Sequence, residues 1–171
     1  MCRVPHPVGS AVVHALKYHD WIAAAEGMGE RMSRLSWPRD VVRERAALVP
    51  VPLAPARARE RGFNQAALIA RALAARWNVP VWSDVLARSR STGTQTRLTQ
   101  AQRSANVRGA FGVPAAASEP HARIRGRHMV LVDDVLTTGA TLNACAAALF
   151  DAGARTVSYV TFGRARASGD R

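Results

Sequence analysis

Residues 130–142 read VLVDDVLTTGATL, and the reading of this stretch decides the fold. Residues 128–132 (HMVLV) form an uninterrupted apolar run, the pattern of a strand covered on both faces. Asp133 and Asp134 stand at its end, followed by a Thr/Gly turn and a helix expected over residues 141–152. In parallel α/β sheets, ligands collect where strands end and helices begin. The turn Thr137-Thr138-Gly139-Ala140-Thr141 brings hydroxyls and backbone N–H groups to a helix N-terminus. Unpaired N–H groups and the helix dipole both favour an anion there. Gly139 permits the backbone conformation and close approach that a phosphate requires. Two carboxylates beside a phosphate cradle suit a phosphorylated sugar, since they accept hydrogen bonds from vicinal ribose hydroxyls and help to hold Mg²⁺. An ordinary helix cap would be served by one Asp and one Thr; two of each, with a glycine among the hydroxyls, go beyond that.

Strand and helix signals alternate on either side of this unit. Residues 47–53 (ALVPVPL) read as a buried strand leading into a shaped loop, and residues 57–61 as a basic loop. Residues 63–77 carry Ala66, Ile69, Ala70, Leu73 and Trp77 at helical spacing, and residues 79–86 suggest another strand. After the helix over 141–152, Gly153 is a helix stop and residues 156–162 are a further strand. Residues 10–36 read as helix, with a break near His19-Asp20, a second helix over 21–35 and Pro38 as its stop. Residues 88–106 are polar and without period, a lid or a solvated loop, and residues 114–126 are linker-like. The alternation points to a Rossmann-like parallel sheet flanked by crossover helices.

The chain has 171 residues, 48% apolar and 21% charged, which suits one domain of ordinary core size. No apolar run approaches a membrane span and no signal peptide opens the chain, so a cytoplasmic setting without membrane insertion is expected. Cys2 and Cys145 are too few for a disulfide framework or a zinc site; Cys145, at helical spacing from Leu142 and Leu149, reads as a packed core thiol. The net charge of +12 suits anionic partners, whether nucleotides, polyphosphates or nucleic acid, although arginine drift in a GC-biased genome gives the same balance. With 6% aromatic residues the chain lacks an interleaved platform for stacking bases. Trp77 and Trp82 read as packing, His128 as a structural donor and His14 as surface.

Segment 130–142 closely resembles the phosphoribosyl pyrophosphate motif of type I phosphoribosyltransferases: an apolar strand, two acidic residues and a Thr/Gly-rich turn opening a helix. That resemblance assigns Asp133 and Asp134 to the ribose hydroxyls, and Thr137, Thr138, Gly139, Ala140 and Thr141 to the 5′-phosphate. Further blocks are similar to the ComF group. They are the run from Arg59 through Glu60, Arg61, Gly62, Phe63, Asn64 and Gln65 to Ala66, the series Gln95, Leu98, Arg103, Asn106 and Val107 leading to Gly109-Ala110-Phe111, and Leu16-Lys17-Tyr18. The ComF group is associated with natural competence, the uptake of single-stranded DNA, and has amidophosphoribosyltransferase-like members. Its full-length members usually begin with a four-cysteine zinc-binding segment that is missing here, which leaves truncation or loss of that module open; no cysteine metal site is expected.

The resemblance implies a type I phosphoribosyltransferase fold. Residues 1–40 would be a helical segment serving as hood or dimer surface, and residues 41–171 the phosphoribosyltransferase domain. It implies 5-phosphoribosyl 1-pyrophosphate or a related phosphorylated ribose as ligand, with Mg²⁺ carried by the ligand and held in part by Asp133 and Asp134. The reaction would be displacement of pyrophosphate at ribose C1 by a nitrogen nucleophile, which needs positioning and charge stabilisation but no protein nucleophile. Arg57, Arg59 and Arg61 would meet the pyrophosphate, Asn64 and Gln65 would lie beside it, and Arg88, Gln95, Arg103 and Asn106 would face the ligand from the lid. Lys17 is the single lysine of an arginine-rich chain; a compact ammonium on a flexible stem would reach the pyrophosphate where a guanidinium fork does not fit, while the plainer reading is a solvated surface lysine. The rival to an enzyme is a non-catalytic adaptor that binds nucleotide or single-stranded DNA, or meets a helicase of the uptake machinery.

Overall fold

The protein, described here from a computed structural model, is resolved into elements over residues 2–4, 22–88, 109–114 and 118–165. Its centre is β5 (His128–Leu136), flanked on one side by β2 (Arg45–Pro50) and on the other by β6 (Thr156–Ala165), both parallel to it. A short strand β1 (Cys2–Val4) runs parallel to the end of β6, so the sheet order is β1-β6-β5-β2. The apolar run 128–132 is continuous because β5 is buried on both faces, as a central parallel strand must be.

Strand alternation sends the core residues into two layers. Ala47, Val49, Met129 and Leu131 face one side, where they meet Leu142, Cys145 and Leu149 of α6 (Ala140–Asp151). Leu48, Val130, Val132, Val160 and Phe162 face the other. There they are covered by Ile69 and Leu73 of α4 (Gln65–Trp77) and by Ala25, Met28 and Met32 of α1 (Ile22–Ser33). The result is a helix–sheet–helix sandwich, the parallel α/β arrangement expected from the alternation of strand and helix signals. His128, at the start of β5, is buried and shares a hydrogen bond of 2.9 Å between its Nε2 and Ser158 Oγ. Trp77 packs edge-on against Trp37 at 5.2 Å between ring centroids, and the Arg45 guanidinium lies 4.4 Å over it.

Several local expectations are corrected. Residues 57–61 belong to a helix, α3 (Pro55–Arg61), rather than to a loop. Pro55 opens it, where a missing N–H does no harm, and Gly62 closes it in the left-handed region at φ 72°. Pro38 does not stop α1, which ends at Ser33, but precedes a further short helix, α2 (Arg39–Glu44). Residues 79–86 make only a single parallel bridge, between Val81 and Leu48, before β3 (Ala87–Arg88) pairs antiparallel with β4 (Phe111–Gly112). The linker-like stretch 114–126 contains α5 (Ser118–Ile124), anchored by the fully buried Ile124. The expected first helix over residues 10–21 and the lid residues 89–106 lie outside the described residues.

Candidate active site at the C-terminal edge of the sheet

β5 outruns β2. The last ladder bond between them is Val51 N–H to Val132 C=O at 2.9 Å. Val51 C=O, the next acceptor on that side, takes the Asn64 amide N–H at 3.0 Å. Beyond this point the strand's own carboxylates serve its backbone. Asp133 Oδ1 accepts Asp134 N–H at 2.9 Å, and Asp134 Oδ1 accepts Val135 N–H at 2.8 Å. Asp133 is half-buried and Asp134 only 5% exposed. The charge of Asp133 is felt at Cys145 of α6. The sequence reading puts both acids just after a strand over residues 128–132; β5 instead continues through them to Leu136.

The turn that follows ends on Gly139, which is the N-cap of α6 with φ 78°. It supplies no side-chain cap; the nearest hydroxyl, Thr138 Oγ1, accepts Ala140 N–H at a long 3.4 Å. A Cβ at 139 would meet Leu136 and Asn143 at 3.7 and 3.9 Å, ordinary contact distances. The requirement for glycine is therefore set by the left-handed backbone, not by crowding from protein atoms. Thr137 is exposed, while Thr138, Ala140 and Thr141 are half-buried.

The second wall comes from the α3–α4 segment. Asn64 caps α4, accepting Ala66 N–H at 3.0 Å, and its amide bond to Val51 C=O ties that cap to the end of β2. Gln65 is buried and accepts a hydrogen bond of 3.3 Å from Arg61 Nη1. Arg57 and Arg59 project from α3 and are exposed. Asn64 and Gln65 hold the segment in place, whereas the arginines carry its charge. Gln95, Arg103, Asn106 and Lys17 lie outside the described residues.

Two residues join the edge that sequence reading left out or placed elsewhere. Thr161 of β6 pairs in register with Asp133 and is buried, and its hydroxyl has no hydrogen-bond partner among the described residues. It stands between Val160 and Phe162 in the apolar part of β6, a buried polar residue with no motif around it. Thr161 also lines a cleft of about 500 Å³ between β6 and α1, to which Glu30, Arg31 and Arg34 contribute. Arg88, read as part of a lid, ends β3, and its guanidinium lies 5.3 Å from the Phe111 ring centroid. Burial lowers the Arg88 pKa, and the nearby charge of Arg57 lowers it further. Burial also pushes the Cys145 thiol far above its ordinary range, with the negative charge of Asp133 adding to the effect. Cys145 is thus the inert core thiol its spacing suggests. No helix among the described residues is long and apolar enough to cross a membrane.

Comparison with known proteins agrees with the fold. Residues 60–171 match the phosphoribosyl transferase domain family. The chain is 40% identical over 111 residues to the DNA utilization protein YhgH of Escherichia coli K12, covering 64% of this chain and 45% of that protein. It is 38% identical over 98 residues to Competence protein F of Haemophilus influenzae, covering 57% of this chain and 41% of that one. The chain therefore spans less than half the length of these two relatives. In fold it is similar to the glutamine phosphoribosylpyrophosphate amidotransferase of B. subtilis, with a TM-score of 0.53 and 20% identity over 82% of this chain and 26% of that one. The fold, the ordered blocks and these relatives together make the chain a member of the phosphoribosyltransferase family, in its ComF group.

Proposed function

We propose that the protein binds 5-phosphoribosyl 1-pyrophosphate at the C-terminal edge of its sheet and transfers the phosphoribosyl group to a nitrogen nucleophile. The observation that carries this reading is the junction of β5 and α6, where two carboxylates adjoin a left-handed Gly139 and a helix start without a side-chain cap. Thr137, Thr138, Gly139, Ala140 and Thr141 receive the 5′-phosphate through hydroxyls and N–H groups. Asp133 and Asp134 accept hydrogen bonds from the ribose hydroxyls. Arg59 and Arg61 offset the charge of the pyrophosphate, and Asn64 and Gln65 fix the loop from which they reach it.

The donor set also fits Mg²⁺. Two carboxylates are hard oxygen ligands, too few for a protein cage and suited to a cation that keeps water and phosphate oxygens in its shell. Asp133 and Asp134 would hold Mg²⁺ together with the ligand, and the cation would supply charge neutralisation at the leaving group. In the transfer, the nitrogen lone pair forms a bond to C1 as the C1–O bond to pyrophosphate breaks. The electron pair leaves with pyrophosphate, and the proton on nitrogen passes to solvent. The protein's part is orientation and charge stabilisation. Residues 88–106, with Gln95, Arg103 and Asn106, act as the lid that excludes water, and Lys17 reaches the pyrophosphate from the N-terminal segment. Residues 1–40 form the hood, or the surface of a homodimer. Calorimetric titration with phosphoribosyl pyrophosphate, with and without Mg²⁺, tests this reading: saturable, Mg²⁺-dependent binding is expected, and absence of binding in both conditions refutes it.

A second reading is favoured by the net charge of +12 and by similarity to proteins named for DNA utilization and competence. In it the cytoplasmic protein keeps the phosphoribosyl site but serves as an adaptor for single-stranded DNA or its helicase. Several phosphate contacts would make DNA affinity fall steeply with salt. A flat salt response would remove this reading.

A further inference from the structure

The edge of the sheet opposite the candidate site is rich in arginine. β2, β5 and β6 all begin there, with Arg45 in register with His128 and His128 with Thr156. Arg127 directly precedes β5 and Arg155 directly precedes β6, and the Arg155 N–H donates to the Arg127 carbonyl at 2.9 Å. Neighbouring strands lie about 4.8 Å apart, so the backbones of Arg45, Arg127 and Arg155 stand side by side across roughly 10 Å. Two indoles join them. The Arg45 guanidinium lies over Trp77, while Trp82 has the Arg123 guanidinium at 4.4 Å and that of Arg127 at 5.7 Å from its ring centroid. We infer that this edge, at the other end of the strands from the phosphoribosyl site, is where single-stranded DNA binds, which rests on the DNA reading above.

Charge is the first reason. Glu44 and Asp84 pair with Arg155 and Arg123 at 2.6 and 2.7 Å, and the Asp40 charge is felt at His128. Arg45, Arg125 and Arg127 have no ion-pair partner among the described residues, and Arg125 and Arg127 are exposed. The edge therefore keeps positive charge that its own carboxylates do not offset, which suits a chain of phosphates. Order is the second reason. An indole against a guanidinium limits its movement, so less side-chain freedom is lost when a phosphate binds. The guanidinium fork also matches phosphate oxygens in a way an ammonium does not. Base access is the third. A guanidinium plane stacks on a base, and an unpaired strand offers its base faces where a duplex keeps them inside. Low aromatic content hides this arrangement in the sequence, because the arginines that meet Trp77 and Trp82 come from distant parts of the chain.

The test measures fluorescence anisotropy of a labelled oligothymidylate over a salt series. The parent should bind it, with affinity falling steeply as salt rises. Arg125→Gln/Arg127→Gln, at two exposed positions, should weaken binding by about tenfold or more, the scale of a lost charge-assisted contact. The salt slope should become shallower by about 1.4, at roughly 0.7 per phosphate contact on a single strand. The melting temperature and the affinity for phosphoribosyl pyrophosphate should match the parent's. Arg57→Gln/Arg59→Gln removes the same charge at the opposite edge and should cost clearly less DNA affinity. Equal loss in the two double variants, or none in Arg125→Gln/Arg127→Gln, overturns the placement while leaving the DNA reading standing. A duplex bound as tightly as the single strand overturns the preference for unpaired DNA. No binding of the oligothymidylate by the parent, even at low salt, overturns the placement and the DNA reading together.

Discussion

At the scale of single residues, Gly139 is where sequence and conformation agree most tightly. At φ 78° any residue with a Cβ carries a strain of roughly 1–2 kcal/mol, whereas glycine carries none. Gly139→Ala should therefore lower the melting temperature modestly, since a Cβ there meets no closer atom than 3.7 Å. Relief of that strain would turn the first N–H groups of α6 away from a common centre, so ribose 5-phosphate should protect the variant less against thermal unfolding than it protects the parent. Equal protection of both would show that the turn is not a phosphate cradle. The two acids differ in exposure: Asp133 is half-buried, with its charge felt at the Cys145 thiol of α6, while Asp134 is almost fully buried. Both already hold a main-chain N–H through Oδ1, so each orients its neighbour before any ligand arrives.

At the scale of elements, α4 is the brace of the site. Its cap, Asn64, spends one oxygen on Ala66 N–H and its amide nitrogen on the end of β2. Asn64→Ala should cost about 1–2 kcal/mol of stability, the range for a lost N-cap, and chemical denaturation would measure it. No change would mean that the cap does not hold α4. The packing of α1 on α4 has its own weak point at Gly29, where a Cβ would lie 2.6 Å from Ala72 Cβ. Gly29→Ala should destabilise by about 1–3 kcal/mol through overpacking, and a midpoint equal to the parent's in denaturant would contradict the close approach. These elements also explain what the sequence made legible. β5, α4 and α6 could be read because each buries an apolar run or stripe, and burial leaves a period in the sequence. α3 could not, since PARARER has no buried residue; only Pro55 before it and Gly62 after it mark a helix. Residues 79–86 looked like a strand because they are rich in valine, yet their apolar side chains divide between the two core layers and only Val81 joins the ladder. The carboxylates and the Thr/Gly turn were legible as a site because phosphate chemistry demands those residue types in sequence. Thr161 was not, because tertiary pairing with Asp133 gives it its place, and Arg88 was named only as part of a lid, without its pairing to Phe111.

At the scale of the whole molecule, stability is tied to pH through the sheet's opposite edge. Burial holds the His128 imidazole below its ordinary pKa, with the Glu44 charge opposing the shift. Folding thus favours neutral His128. Its contribution is present above the unfolded value of about 6.5 and is lost as pH falls through that value toward the lower folded one. The melting temperature should drop over that acidic window, and His128→Gln should flatten this part of the profile. A variant profile parallel to the parent's would assign the acid sensitivity to other groups. The excess of basic residues belongs to this scale too: 24 Lys and Arg against 12 Asp and Glu draw polyanions of any kind toward the surface, so binding alone does not identify the ligand.

A selective loss does identify it, and the Asp133→Asn/Asp134→Asn double variant provides one. Asparagine keeps an Oδ1 to accept the N–H groups of residues 134 and 135, so the fold and the melting temperature should survive. The variant loses the charge that strengthens hydrogen bonds from ribose hydroxyls, an effect of about 1.5–3 kcal/mol per bond. Calorimetric titration with phosphoribosyl pyrophosphate and Mg²⁺ should therefore give saturable binding to the parent and none detectable to the variant. Undiminished affinity in a folded double variant would contradict the assignment of this sheet edge as the phosphoribosyl site.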